Sequence, residues 1–242
     1  MNKLLVLIII CTHSLMSLAI GDYQKGEKVY VWAASGLKMR NEAAIKSQVL
    51  QTLDYGVEVE ISDDSIKQKV FEANVPKTDT LKGNWALKGH WVKIKFKEKG
   101  GYVFDAYLSK MLPFKRNIQH FFETKVDYLQ RVYGKPKHKS YKTKKQNFEF
   151  ENDDFYYQKD IIRYEVYGDG CFDHAIEIPN ISLEEAYLFL KALFYEDDKG
   201  DGEMKLIQKD KNGYLFNETG ATQLRGIKIK NGIATIFSSD CS

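Results

Sequence analysis

Apolar and polar residues alternate with a period of two in several short stretches of the first half of the chain. The plainest are Val57-Glu58-Val59-Glu60-Ile61 and Val92-Lys93-Ile94-Lys95-Phe96. That period gathers the apolar side chains of a segment on one face of a strand. With the apolar segments at 28–33, 37–40, 48–53 and 101–104, strands at 57–62 and 90–96 predict a small β sandwich or barrel. Gly56 and the Gly100-Gly101 pair supply sharp bends between strands. Val92, Ile94 and Phe96 are assigned to the interior, which leaves Trp91 out of phase, in the core or at a seam with another part of the chain.

The period changes in the second half. Ile118, Phe121, Phe122, Val126, Leu129 and Val132 recur at three- and four-residue steps and predict an amphipathic helix over 114–133, ended by Gly134 and Pro136. A second helix is predicted from Ser182 to about residue 195, with Glu185 placed to close a capping box. Apolar residues surround it on nearly all sides, which predicts burial against a sheet. Strands are expected at 147–151, 155–158, 161–167, 172–178, 203–208, 213–216, 223–230 and 233–238, with Asn231-Gly232 as a tight hairpin turn. The pattern describes an α+β domain over 113–242: an antiparallel sheet carrying two helices.

The amino terminus follows neither period. Lys3 precedes an unbroken apolar run from Leu4 to Cys11, and Ser17-Leu18-Ala19 places small residues before a cleavage point after Ala19, or after Gly21. Residues 1–19 therefore read as a signal peptide that sends the rest to the periplasm or the medium. The run is too short to span a bilayer. Cys11 follows Ile10 rather than a small residue, which argues against a lipid anchor.

Charge adds one local feature. Lys and Arg total 36 against 33 Asp and Glu, a net of +3 that falls to +2 without Lys3, so global charge gives no case for nucleic acid. Residues 113–146, however, hold ten basic residues against Glu123 and Asp127. Lys135, Lys137, Lys139, Lys142, Lys144 and Lys145 form a candidate patch for an anionic surface or polymer. Glu149, Glu151, Asp153 and Asp154 follow at once and offer partial neutralisation. Loss of Cys11 with the signal leaves Cys171 and Cys241, an even pair expected to form a disulfide in an oxidising compartment, with a reactive thiol as the alternative.

Several segments of the first half together resemble the bacterial SH3 domains. They are Gly36-Leu37-Lys38-Met39-Arg40, then Val49-Leu50 with Leu53 and Gly56, then 57–61, Trp91-Val92-Lys93-Ile94, Gly101-Tyr102-Val103 and Tyr107-Leu108. Lys38 stands where that family usually has Asn, and Asn41-Glu42-Ala43-Ala44 replaces a Gly/Pro/Ser-rich turn. Residues 63–89 are an insertion, expected to be less ordered than its flanks or to cover Trp91. The resemblance implies a mainly β protein: an SH3-like barrel over 22–112 followed by the α+β domain. It also implies a non-catalytic attachment module for cell-wall peptide or an envelope protein. Small barrels bind through loops and exposed aromatics, which makes Tyr55, Trp85 and Tyr107 the candidate ligand-binding residues.

Signals for chemistry are weak. Asp240-Cys241-Ser242 begins like a wall-peptidase nucleophile motif, but the helix and histidines such a motif needs do not follow. Cys171 and His174 are three apart, which puts them on opposite faces of a strand. His90, His120, His138 and His174 lack paired metal-ligand spacing, and the 197–202 segment, calcium-like at first sight, has Lys199 and Gln208 at ligand positions. No phosphate loop or serine-nucleophile motif is present. The sequence thus points to no catalytic residue, metal or cofactor, and to a binding or scaffolding role. A wall hydrolase with its site in the second domain is the alternative, and it requires a cleft of converging acid, base and nucleophile there.

Overall fold

The chain is described by a computed structural model over residues 23–63, 70–117, 122–194, 204–211, 213–217 and 224–241. The expectations for the export signal, Cys11, His120 and the 197–202 turn lie outside these residues.

The alternating segments of the first half form strands β1 (Lys28–Val31), β2 (Leu37–Arg40), β3 (Val49–Leu53), β4 (Glu58–Asp63), β7 (Trp91–Phe96), β8 (Lys99–Phe104) and β9 (Leu108–Ser109). They make one antiparallel sheet in the order β3-β2-β8-β7-β4-β1-β9. Its interior is filled by Val29, Val31, Met39, Leu53, Val59, Ile61, Val92, Ile94 and Val103. Phe96 is half-buried against the same cluster. Trp91 points the other way, as its phase requires.

The described part of the insertion, 70–89, is built rather than loose. It contains a hairpin of β5 (Phe71–Asn74) and β6 (Ala86–Gly89), and Phe71 lies against Trp91 with ring centroids 6.0 Å apart. Beyond β5, Leu206 N–H donates to Pro76 O at 2.8 Å and Thr78 N–H donates to Leu206 O at 3.0 Å, so the insertion pairs with the second half of the chain.

That half is an eight-stranded antiparallel sheet in the order β10-β11-β12-β13-β17-β16-β15-β14. Its strands are β10 (Lys137–Lys145), β11 (Phe148–Tyr156), β12 (Ile162–Gly168), β13 (Cys171–Pro179), β14 (Lys205–Asp210), β15 (Gly213–Asn217), β16 (Leu224–Lys230) and β17 (Ile233–Cys241). Asn231 and Gly232 take φ of 52° and 76° in the β16–β17 turn, the positive values a two-residue hairpin needs. Cys171 and Cys241 sit directly opposite each other at the ends of β13 and β17, with sulfurs at bonding distance, 2.08 Å.

Three expectations are revised. The first helix, α1 (Lys125–Tyr133), is shorter than 114–133: Thr124 Oγ1 accepts from Asp127 N–H at 3.1 Å and starts the helix there. Ahead of it, Glu123 N–H donates to Lys115 O at 2.8 Å and Arg116 bridges Phe122 in antiparallel fashion, so 115–116 and 122–123 pair as extended backbone rather than as helix. β11 is one strand where two were expected. β10 is a strand where none was expected, because its strand form comes from nine successive cross-strand pairs with β11 rather than from any apolar alternation of its own.

Helix α2 (Leu183–Leu193) carries the expected capping box, with Glu185 N–H donating to Ser182 Oγ at 3.1 Å and Ser182 N–H donating to Glu185 Oε2 at 3.0 Å. It packs on β16 and β17 by one side and reaches the barrel by the other. Ser109 Oγ donates to Glu185 Oε1 at 2.6 Å across that seam, and Trp32 of the barrel stacks on Phe189 with centroids 6.2 Å apart. Trp32, Trp91 and Phe104 consequently share one apolar cluster with Tyr128, Phe189, Ile176 and Ile236.

Candidate functional site

A cleft of about 580 Å³ opens where the barrel meets α2. The barrel side is aromatic: Trp32 at the end of β1, Tyr55 before β4, Trp91 on β7, and Phe104 and Tyr107 around β9. Phe71 of the insertion adds another ring, and Leu188, Lys191 and Ala192 of α2 close the opposite side. The mouth is formed by 33–38, where Gly36 turns the chain at φ 89°. A Cβ there would lie 2.7 Å from Thr52 Cγ2 and 3.1 Å from Leu53 O, so the turn needs glycine on two counts.

The rings are held by polar contacts at their rims. Trp32 Nε1–H donates to Met111 O at 3.0 Å. Tyr55 Oη accepts from Phe114 N–H at 3.0 Å, and the Arg116 guanidinium lies 4.7 Å from the Tyr55 ring centroid while donating to Ala34 O at 2.9 Å. Burial pushes the Tyr55 hydroxyl well above the ordinary phenol value and raises the Tyr107 hydroxyl too, so both stay protonated and neither serves as a base.

The charged groups around the cleft are Lys38, Arg40 and Lys191, all cationic. Arg40 is 8% exposed and is fixed by donating from Nη1 to Ser47 O at 2.6 Å. An apolar, aromatic trough with three cations and no carboxylate among its described lining suits an elongated ligand bearing an anionic group. Among the described lining residues Ser35 is the one aliphatic hydroxyl, and none of them is an imidazole or carboxylate that could activate it.

Of the sequence-derived candidates, Tyr55 and Tyr107 line this cleft together. Trp85 does not: it is 5% exposed, with its ring 5.1 Å from Tyr187, 4.7 Å from Tyr214 and 6.0 Å from Phe216. It anchors the insertion to the second sheet. Trp32, Arg40 and Lys191 were not singled out from the sequence. Arg40 belongs to a segment that carries the SH3 resemblance, whereas Lys191 enters only because α2 folds back across the barrel.

The second sheet holds a smaller cleft, about 380 Å³, with Lys125, His174, Ser238 and Asp240 in its lining. Glu165, His174 and Ser238 lie directly opposite one another on β12, β13 and β17. Acid, imidazole and hydroxyl are thus in one row, yet Lys125 Nζ donates to His174 Nδ1 at 2.8 Å. An ammonium at that atom requires Nδ1 to accept, which leaves the ring proton on Nε2 and gives the imidazole no lone pair there to take a serine proton. Burial, with the Lys125 charge next, lowers the His174 pKa and keeps the ring neutral. Among the described residues no group of three or more His, Cys, Asp or Glu is placed to hold a metal ion.

The lysine patch divides over the two faces of β10. Lys142 Nζ lies 2.7 Å from Glu149 Oε1 and 3.5 Å from Glu151 Oε1, while Lys139 and Lys145 fall on the other face. Among the described residues no helix is long and apolar enough to cross a membrane.

Comparison with known proteins places this geometry. Residues 35–109 match the bacterial SH3 domain family, from the turn before β2 through β9. The chain carries a bacterial SH3 domain there, within a mainly β, antiparallel structure whose second sheet-rich part lies outside the match. No curated protein and no solved structure matches the chain.

Proposed function

We propose that this protein is an exported binding component of the bacterial cell envelope, and that the cleft between barrel and α2 takes a cell-wall peptide through its free carboxylates and apolar side chains. The observation that carries this reading is the lining itself: a trough of rings whose charged lining, among the described residues, is Lys38, Arg40 and Lys191. Bacterial SH3 domains are typically cell-wall or peptidoglycan-binding modules, and residues 35–109 are such a domain. Stem peptides of the wall carry free carboxylates, which the three cations complement. Export is supported by the amino-terminal pattern and by Cys171 and Cys241 standing opposite each other across a strand pair, a placement useful only where disulfides persist.

The test is co-sedimentation of the chain lacking residues 1–19 with purified, protein-free cell wall. The chain is expected in the pellet, and Lys191→Glu, a charge reversal at a half-buried position of the cleft lining, is expected to shift it to the supernatant. Retention of the variant equal to that of the parent overturns the assignment of the cleft. Absence of the parent from the pellet overturns the wall as target.

A further inference from the structure

The two edges of the eight-stranded sheet are treated differently. At one end β14 is covered, because the Pro76–Thr78 backbone bonds on either side of Leu206. At the other end β10 has β11 on one side and, among the described residues, no strand on the other, and all nine of its residues are exposed. In an antiparallel pair alternate residues aim N–H and C=O away from the partner, so β10 presents a row of backbone donors and acceptors that no other described strand pairs. A nine-residue open edge is long enough to template another strand.

Its side chains select what could pair. Lys142 is engaged by Glu149 and Glu151, and Ser140 and His138 engage Asp153, His138 Nε2 lying 2.7 Å from Asp153 Oδ1. Those residues share one face. On the opposite face stand Lys137, Lys139 and Lys145, and none of them lies within 4.0 Å of a carboxylate of a described residue. Asp154, opposite Lys139, instead accepts from Tyr156 Oη at 3.0 Å, and Lys139 Nζ sits 5.0 Å from the Tyr141 ring centroid.

We propose that β10 is a docking edge for an extended acidic segment of a partner protein, which adds as a ninth strand with carboxylates at alternate positions facing Lys137, Lys139 and Lys145. Ladder hydrogen bonds supply the register and the lysines supply the selection. A second copy of this chain is a poor occupant, since β10 against β10 brings lysine rows together. The same charge that guards the edge against self-association leaves an acidic strand as its complement.

The experiment is fluorescence anisotropy of a labelled nonapeptide of alternating Glu and Thr, titrated with the full chain lacking residues 1–19 at about 150 mM salt. Two comparisons accompany it: the same peptide N-methylated at alternate residues, which keeps charge but removes ladder donors, and the chain carrying Lys137→Glu, Lys139→Glu and Lys145→Glu. Saturable binding is expected, weakened about tenfold or more by each change, with slowed amide exchange at alternate residues of 137–145. The three substitutions lie on a fully exposed strand, and the N-methylated peptide tests the ladder without altering the protein. Equal binding of the N-methylated peptide, or its full displacement by linear polyphosphate of matched charge without exchange protection, overturns the proposal in favour of a cationic patch. Absence of binding, or self-association through 137–145 in sedimentation, also overturns it.

Discussion

Burial decides the charge state of His174. Its folded pKa lies below the ordinary 6.5 because the ring is desolvated and stands beside the Lys125 ammonium. Protons therefore bind the unfolded chain more readily than the folded one as pH falls through 6.5. The stability this site contributes is complete above that pH and is lost progressively below it. Denaturant melts at pH 7.5 and pH 5 should show the loss, and His174→Gln should reduce it; an unchanged pH slope in the variant contradicts the assignment. Cys171 and Cys241 add a second residue-level expectation. They are 70 residues apart and directly opposite in register, so a bridge closes a long loop, with a chain-entropy effect of about 4 kcal/mol as an upper guide. Material exported with its native bond should yield no free thiol when unfolded without reductant, and Cys171→Ser with Cys241→Ser should melt earlier. Two titratable thiols in exported material contradict the pairing. Both cysteines were legible in the sequence because pairing needs only even number and compartment. The Lys125–His174 contact was not, since it joins a helix terminus to a strand 49 residues away.

Helix α2 is the element on which the two halves of the chain depend. Its capping box is closed, and Glu185 has a further partner in Ser109 of β9. Ser182→Ala should cost about 1 kcal/mol in denaturant unfolding, the usual effect of losing an N-cap. Glu185→Ala should cost more, because it removes the return bond of the box and also leaves a 0%-exposed Ser109 hydroxyl without its acceptor. Equal effects of the two substitutions would falsify the seam role of Glu185. The capping box and most barrel strands were readable in advance, since each rests on local spacing and period. β10 was not, because KHKSYKTKK has no apolar period and becomes a strand only through β11. The hairpin of β5 and β6 was likewise hidden in a polar insertion whose Trp85 serves packing rather than recognition.

At the scale of the molecule, the apolar cluster that joins Trp32, Trp91 and Phe104 to Tyr128 and Phe189 makes the barrel and the second sheet mutually dependent. Heating should give a single transition, coincident by tryptophan fluorescence and far-ultraviolet circular dichroism. Two separated transitions would mean that the halves fold on their own. The same joint creates the cleft, which explains why one side of its lining escaped sequence reading: Tyr55 and Tyr107 come from the barrel, but Lys191 and Leu188 reach it through a helix more than eighty residues away. The account's central claim is that this cleft is where a carboxylate-bearing wall peptide sits. Amide hydrogen exchange of the chain lacking residues 1–19, with and without a soluble stem peptide released from cell wall, tests it most directly. Slower exchange at 32–40, 104–107 and 188–192 together is the predicted result, and no change there, or protection confined to other segments, contradicts it.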